Sequence, residues 1–385
     1  MTFTHKFLTL LLVVSFLSCS SENEYLELTD DVTIDIDSNS DLDILAETLN
    51  LPANSFNYEN VILPNHFLAN GTAQEDNTPN NNPITDEGAT LGRVLFYDKQ
   101  LSVNNAVSCA SCHDQSTGFS DVNTLSVGFN GELTARNSMG LANAKFYDNG
   151  RFFWDERAES LEEQVLLPIQ DAVEMGLTLD ELESKLQNEA YYSVLFTRAF
   201  GDDEISSERI ALALAQFVRS MVSYQSKYDE GLAQTNNQNA NFPNFTASEN
   251  LGKNLFFSNR TRCSDCHDTN AFVGDRARNN GLDAVLTDEG RNDGEFKVPS
   301  LRNIELTAPF MHDGRFSTLE EVIEHYNSGV QNSAELDGRL RQGNGVRRLN
   351  LTDTEKQALV NFLRTLTDEE FIFDEKFSDP FINNE

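Results

Sequence analysis

The chain has few basic residues: 28 Lys and Arg stand against 62 Asp and Glu, which gives a formal net charge of -34. Nucleic-acid binding through phosphates and membrane adsorption through polybasic segments both require a basic surface, so these two classes are excluded. Hydrophobic residues make up 39% of the 385 residues, which is too much for a wholly disordered chain. At about 150 residues per domain, this length predicts two domains.

Long apolar runs are also lacking, apart from residues 7–17 directly after Lys6. That run is too short for a stable membrane span and predicts a signal peptide over residues 1–18. It ends at Ser18-Cys19, which resembles a bacterial lipobox whose cysteine becomes lipidated; the alternative is an ordinary signal peptide. We therefore predict an exported periplasmic or outer-membrane lipoprotein of a Gram-negative bacterium, with an acidic flexible tether over residues 19–55.

Cysteine is scarce, and apart from Cys19 its four occurrences fall in two C-x-x-C-H motifs. Two thiols at this spacing add to the two vinyl groups of one porphyrin, and the adjacent imidazole becomes the proximal iron ligand. Disulfides, a redox C-x-x-C or a zinc site would give no reason for a His after both pairs. We predict two covalent haem c groups on Cys109-Ala110-Ser111-Cys112-His113 and Cys263-Ser264-Asp265-Cys266-His267, with His113 and His267 as axial ligands.

The surroundings of the two motifs repeat. Each motif follows a Leu-Gly-basic segment, at residues 91–96 and 251–256, and precedes a Gly-Arg-Phe triplet, at 150–152 and 314–316. Leu161 and Leu319, each followed by two Glu, come next. The duplication predicts tandem c-type cytochrome domains, an N-terminal one over 56–235 and a C-terminal one over 236–372, with a tail over 373–385.

The segments between the motifs have helical periodicity. Apolar residues recur at helical spacing over 207–228, and residues 177–199 and 353–366 look similar. Strand signals are few. The predicted fold class is mainly α.

Histidine is the third scarce residue, with six in the chain and none between residues 114 and 266. The first haem therefore has no nearby distal histidine, and an iron with one protein ligand can bind a small molecule. His66 lies upstream, but an isolated histidine is more often a packed or surface residue.

The duplication allows a second comparison. Seven residues after Leu319 comes Tyr326, and seven residues after Leu161 comes Pro168. If both positions lie over their haems, Tyr326 can bind iron whereas Pro168 cannot, which predicts a closed second haem and an open first haem. Met311 is the alternative ligand of the second haem.

Near the open haem the sequence offers Gln164 and Glu174. Peroxide cleavage needs a group that moves a proton between the two oxygens, and a carboxylate in a dry pocket has a raised pKa suited to this. A solvated glutamate is the alternative interpretation, since the chain has many acidic residues.

These motifs together resemble the bacterial di-haem cytochrome c peroxidase and MauG-type superfamily over roughly 83–367. Besides the haem motifs, the matching stretches are 91–97, Arg136-Asn137-Ser138, Phe153-Trp154-Asp155, 168–169, 173–176, Leu301-Arg302-Asn303 and 307–314.

The resemblance implies roles for individual residues. Trp154, the single tryptophan, matches the residue that relays electrons between the haems, and Gln164 and Glu174 match the distal pocket, with Glu174 as the acid-base catalyst. One calcium ion is implied between the domains, held by Asn137 and the backbone carbonyls of Thr307 and Pro309. His312 matches a position near the second haem that does not bind iron.

Two departures from the family pattern have consequences. Typical peroxidases of this group carry a distal histidine after the first haem motif, and its absence predicts activity without prior reduction. Tyr326 stands where typical peroxidases have methionine and MauG-type proteins have tyrosine. A phenolate favours oxidised iron and lowers the second haem's potential. Glu156 stands where glycine is usual, and the sequence assigns it no function.

Three functions follow. The first is a peroxidase that reduces hydrogen peroxide to water at the first haem, with electrons relayed from the second haem and from a cytochrome c or cupredoxin donor. The second is a MauG-type oxidase that uses peroxide to oxidise a protein side chain. The third is a non-catalytic electron carrier. Dimers are common in the family, so the resemblance also implies a homodimer.

Overall fold

The computed structural model describes residues 38–68 and 71–382, and the signal peptide, Cys19 and most of the predicted tether lie outside them. The described chain is mainly helical, as predicted. From Asn39 onward it forms one compact unit. Its α-helices are α1 Ser38–Ala46, α2 Asn65–Leu68, α3 Asp86–Tyr97, α4 Leu161–Gln164, α5 Leu167–Gln170, α6 Leu179–Leu186, α7 Ala190–Phe200, α8 Ser207–Ser220, α9 Lys227–Thr235, α10 Ala247–Phe256, α11 Leu319–Glu324, α12 Asp353–Arg364 and α13 Glu369–Phe373.

Short helical turns and one small hairpin complete the fold. A π-helical turn, His325–Gly329, continues α11, and β1 Arg341–Gln342 pairs antiparallel with β2 Gly345–Val346. Within residues 38–68 and 71–382, no helix is both long and apolar enough to cross a membrane. The 3₁₀ turns are Thr72–Glu75, Lys99–Leu101, Cys109–Ser111, Gln115–Thr117, Ala144–Phe146, Cys263–Asp265, Gly338–Leu340 and Glu375–Phe377.

Helices α3 and α8 frame the first repeat, which we define as residues 86–220. Thr85 caps α3 by accepting from the backbone N of Gly88 at 3.0 Å, and Ser206 caps α8. The helices cross at Gly92, where a Cβ atom would lie only 2.0 Å from the carbonyl oxygen of Ala213. Only glycine permits this close approach.

Helices α10 and α12 frame the second repeat, residues 247–364, in the same way. Thr246 and Thr352 cap them, each in a reciprocal capping box with a glutamate. The crossing lies at Gly252, where a Cβ atom would lie 1.8 Å from the carbonyl oxygen of Ala358. The repeated Leu-Gly-basic segments therefore encode the same helix crossing twice.

Two of the helix predictions differ from the structure. The predicted helix over 207–228 ends at Ser220, and α9 begins only at Lys227. The segment 177–199 forms two helices, α6 and α7, because the chain turns between Gln187 and Glu189. The prediction over 353–366 is confirmed by α12.

Each repeat has its own core of buried side chains. The first core is built around Leu95, Phe96, Phe119 and Phe217, and the second around Phe256, Phe272, Phe362 and Leu363. Tyr228 and Leu232 of α9 belong to the second core, although the predicted first domain runs to residue 235. The division between the two cores therefore falls before α9.

Both ends of the described chain pack on the first core, unlike the tether and tail predicted for them. Leu45 and Leu49 are buried there, so the predicted flexible tether is folded from Ser38 onward. Phe371 and Phe377 are buried in the same core, and Leu49 forms a backbone bridge with Phe381. Apolar side chains in these polar segments drive this burial.

Candidate active site

The two C-x-x-C-H motifs adopt the same local conformation. Each begins with a 3₁₀ turn, and in each the histidine backbone N–H donates to the first cysteine's carbonyl at 3.0 Å. All four thiols are free. Burial raises the pKa of the Cys109 thiol to about 12 and that of Cys263 to about 11. In each motif both cysteines line one cavity together with the histidine.

The two histidines fit a role as iron ligands. His113 Nδ1 lies 2.9 Å from the carbonyl oxygen of Phe119, so Nδ1–H donates there and leaves Nε2 free for a metal. Burial lowers the pKa of His267 to about 4, which keeps its imidazole in the neutral, metal-binding form. Cysteines and histidine line one cavity in each repeat, and this donor set fits a covalent haem.

We call the cavity lined by Cys109, Cys112 and His113 the first cavity, and that lined by Cys263, Cys266 and His267 the second cavity. The two cavities share a wall that includes Trp154 and Lys297.

Trp154 is held firmly in the shared wall. Its indole N–H donates to the carbonyl oxygen of Asn137 at 2.8 Å, and its own carbonyl accepts from the backbone N of Lys297 at 2.7 Å. The side chain lines both cavities. This is the placement that the resemblance implies for a residue between two haems.

The first cavity also brings together the three residues that the sequence places at the open haem. Gln164, at the end of α4, and Pro168, in α5, line it with Glu174. Burial, and to a smaller extent Asp171, raises the pKa of Glu174, while Arg157 acts in the opposite direction. The cavity therefore contains one carboxyl group with increased basicity.

His66 does not reach the first cavity. Its Nε2 lies 2.7 Å from Oδ1 of Asp229, which also pairs with the buried Arg302. His113 is the single histidine among residues 38–68 and 71–382 that lines the first cavity. The structure thus holds His66 in a buried ionic cluster and offers no distal histidine there.

The second cavity contains both candidate ligands of the second haem. Tyr326 lies in the π-helical turn and Met311 in the preceding loop, and both line the cavity. Asn280 Nδ2 donates to Met311 Sδ at 3.4 Å. Burial raises the pKa of Tyr326 to about 12, although its side-chain hydrogen bond with Asn280 acts in the opposite direction. His312 stacks on Phe296 with ring centroids 3.6 Å apart.

The three residues assigned to calcium also meet at the second cavity. Asn137, Thr307 and Pro309 all line it. The Nδ2 of Asn137 donates to the carbonyl of Thr124 at 3.1 Å, which leaves Oδ1 as the amide's cation-binding atom. No cluster of three His, Cys, Asp or Glu occurs in the described residues, so a calcium ion here depends on neutral oxygens.

The sequence analysis did not identify a buried pair, Tyr147 and Glu156, next to the shared wall. Tyr147 donates its O–H to Glu156, and the Lys297 amine lies over the Tyr147 ring. The replacement of the usual glycine by Glu156 was the only signal, because Ala277, Arg291 and Lys297, which complete the surroundings of the pair, are distant in sequence.

Comparison with known proteins agrees with this geometry. A sequence model described as di-haem cytochrome c peroxidase matches residues 86–237 and 246–379. The methylamine utilization protein MauG of Methylophilus methylotrophus is 35% identical over 297 residues, covering 75% of this chain and 84% of that protein. The cytochrome c551 peroxidase of Nitrosomonas europaea is 33% identical over 299 residues, covering 74% and 81%.

Solved structures show the same fold. A MauG-like protein associated with microbial copper homeostasis has a TM-score of 0.69 at 35% identity, with 78% of this chain and 95% of that chain covered. The diheme peroxidase BthA of Burkholderia thailandensis has a TM-score of 0.63 at 22% identity, with 78% and 91% covered. The chain belongs to the di-haem cytochrome c peroxidase family.

Proposed function

We propose that the protein reduces hydrogen peroxide to water at the first cavity, with electrons that arrive through the second cavity and Trp154. One observation carries the proposal: Glu174 and Gln164 line the cavity of Cys109, Cys112 and His113, where no second histidine of the described chain is present. A haem with an open iron position supplies peroxide binding and O–O cleavage.

The side chains of the first cavity supply proton transfer. Because burial raises the pKa of Glu174, this carboxylate is a better base than a solvated glutamate. It accepts a proton from one peroxide oxygen and returns it to the other, while the Gln164 amide orients the peroxide. Pro168, which has no donor or ligand atom in its side chain, leaves space for the peroxide.

Trp154 and the second cavity supply electrons. The indole is fixed by its hydrogen bond to Asn137, so its ring keeps one orientation between the two cavities. His267 and either Tyr326 or Met311 would hold the second haem, which would supply electron transfer. Such a haem passes electrons and does not bind peroxide.

The donor is a small redox protein of cytochrome c or cupredoxin type. Because the chain carries a formal charge of -34, the donor presents a basic or neutral surface to it. Export and a lipid anchor at Cys19 place the reaction at the cell envelope, and a calcium ion on Asn137 stabilises the region between the cavities.

A stopped-flow experiment tests the proposal. The fully ferric protein, loaded with both haems, is mixed with stoichiometric hydrogen peroxide. We expect a rapid change of the haem spectrum without prior reduction. An unchanged spectrum would contradict the proposal, since it would require a sixth ligand on the first iron.

A MauG-type oxidation of a protein side chain is the second candidate. It is favoured by Tyr326, whose phenol lines the second cavity, and by the 35% identity to a protein named MauG. Steady-state assays with a reduced cytochrome c separate the two candidates. Sustained donor oxidation supports the peroxidase, whereas its absence together with a rapid peroxide reaction supports the oxidase.

A further inference from the structure

A buried tyrosine–glutamate pair lies behind the wall that the two cavities share. Tyr147 is 0% exposed and Glu156 2% exposed, and the phenol O–H donates to Oε1 of Glu156. The Tyr147 ring also lines the first cavity. A phenol ring that can be oxidised, and whose O–H is hydrogen-bonded to a carboxylate, therefore borders the proposed site of the peroxide reaction.

Every hydrogen-bond partner of the Glu156 carboxylate is a donor. Besides Tyr147, Asn149 Nδ2 donates at 2.9 Å, the backbone N of Ala277 at 2.9 Å and Arg291 Nη1 at 3.1 Å. The two carboxylate oxygens therefore act as the acceptors in all four contacts. Glu156 is thus arranged as a base that faces the phenol.

The backbone of Glu156 indicates that its side chain has a specific task. Its φ is 54°, in the left-handed region where glycine is favoured and other residues are strained. The contacts of the carboxylate offset this cost.

Lys297 connects the pair to Trp154. Its Nζ lies 3.1 Å from the centroid of the Tyr147 ring and donates to the carbonyl of Arg151 at 3.0 Å. Its backbone N bonds to Trp154. Burial lowers the pKa of Lys297 well below its usual 10.5, while the charge of Glu156 acts in the opposite direction.

We propose that Tyr147 is a second redox-active residue, which gives one electron to the oxidising equivalent that peroxide leaves at the first cavity and passes its phenolic proton to Glu156. The O–H bond of Tyr147 breaks, an O–H bond forms on Glu156, and a neutral tyrosyl radical remains. An electron from the reduced donor, delivered by way of Trp154, and the proton held by Glu156 then restore the phenol. The inference rests on the proposed reaction with peroxide.

The acid-base properties of Tyr147 agree with coupled loss of the proton and the electron. Burial, followed by the hydrogen bond and charge of Glu156, raises the pKa of Tyr147 far above that of a free phenol. The phenol therefore keeps its proton until an electron leaves.

The test uses the protein loaded with both haems and produced with ring-deuterated tyrosine. It is mixed with stoichiometric hydrogen peroxide, freeze-quenched and examined by electron paramagnetic resonance. We expect an organic radical signal that narrows on deuteration, that is lost in Tyr147→Phe, and that forms about 100-fold more slowly in Glu156→Gln. Circular dichroism and the ferric spectrum check that both variants fold.

Tyr192→Phe is the matched control. Tyr192 is also buried and donates to a carboxylate, Asp98, at 2.7 Å, but it lines neither cavity. We expect the wild-type signal in this variant. A signal unaffected by deuteration, or one retained in Tyr147→Phe, would overturn the inference alone. If the wild-type haem spectrum does not respond to peroxide, the proposed function fails as well.

Discussion

The two repeats share their scaffold down to individual contacts. Gly92 and Gly252 lie at equivalent helix crossings, and a Cβ atom on either would lie 2.8 Å from the Cβ of a phenylalanine, Phe217 or Phe362. Ser160 and Thr318 cap the helices that follow the Gly-Arg-Phe triplets. The repeats thus use the same contacts to build a pocket.

The repeats differ in the side chains that face the pocket. The first cavity has Pro168, Gln164 and Glu174, and the second has Tyr326 and Met311. The difference teaches that one scaffold can present different side chains over its cavity, and the proposed division between a reactive and an electron-transfer haem rests on those few side chains.

The largest effect is expected from Glu174→Gln, which removes the carboxylate that we propose as the proton-transfer group of the first cavity. The second-order rate of the peroxide reaction should fall about 1000-fold. In the wild type this rate should rise with pH as Glu174 loses its proton, because the deprotonated carboxylate is the base. Burial raises the pKa of Glu174, so the rise should be centred above pH 4.5. The variant should lose this pH dependence. Stopped-flow rates measure both.

Glu208→Gln serves as the control for this prediction. Glu208 is exposed in the first turn of α8 and lines neither cavity, so its rate and pH profile should match the wild type. An equal loss in both variants would show that Glu174 has no particular role.

Tyr326→Phe sharpens the comparison at the second cavity. If the phenol oxygen binds iron, its removal should raise the second haem's potential by roughly 0.1 V, a fraction of the ~0.8 V that axial ligands span. Spectroelectrochemical titration measures this shift. Met311→Leu should leave the potential unchanged. The reverse pattern would identify Met311 as the ligand.

Gly92→Ala and Gly252→Ala test whether the shared scaffold matters equally in both repeats. Each added methyl group would lie 1.8–2.0 Å from a backbone carbonyl oxygen, which is well inside van der Waals contact. We expect a loss of about 2–3 kcal/mol in the free energy of unfolding. Gly338→Ala, where no atom lies within 4 Å, should be nearly neutral. Denaturant titration of the haem-loaded variants measures the losses. A large loss in one repeat alone would break the equivalence.

The smallest effect concerns an ion pair that joins the two repeats. Arg136 binds both carboxylate oxygens of Asp288, at 2.7 and 2.8 Å, and holds the pKa of Asp288 at about 2, below its usual 3.8. Both side chains are partly exposed, so Asp288→Asn should cost less than about 1 kcal/mol. Since the folded-state pKa is lowered, this contribution is present above pH 3.8 and vanishes as the pH falls through about 2. Unfolding curves at several pH values measure it.

The residues that line the two cavities were largely predictable from the sequence. The spacing of C-x-x-C-H is a local property, and the seven-residue offset that pairs Pro168 with Tyr326 depends only on the duplication. Both residues line their cavities. Equivalent positions in two copies of one scaffold face equivalent places, which is why this inference needs no knowledge of distant contacts.

The features that the sequence did not predict depend mostly on contacts between residues far apart in the chain. The Glu156 carboxylate is held by Ala277 and Arg291, and His66 is held by Asp229, and no periodicity or spacing signals such pairs. The burial of Leu45 and Leu49 was missed because these two apolar residues lie within a strongly polar segment.

The packing of the C-terminal segment on the first core has a consequence for biosynthesis. The ring of Phe371 contacts that of Phe119, six residues after His113, with centroids 5.5 Å apart. The first core is therefore completed only once residues 371–377 have been made, after the whole second repeat. The two repeats then do not finish folding one by one from the N-terminus, in contrast to the domains of multidomain chains in general.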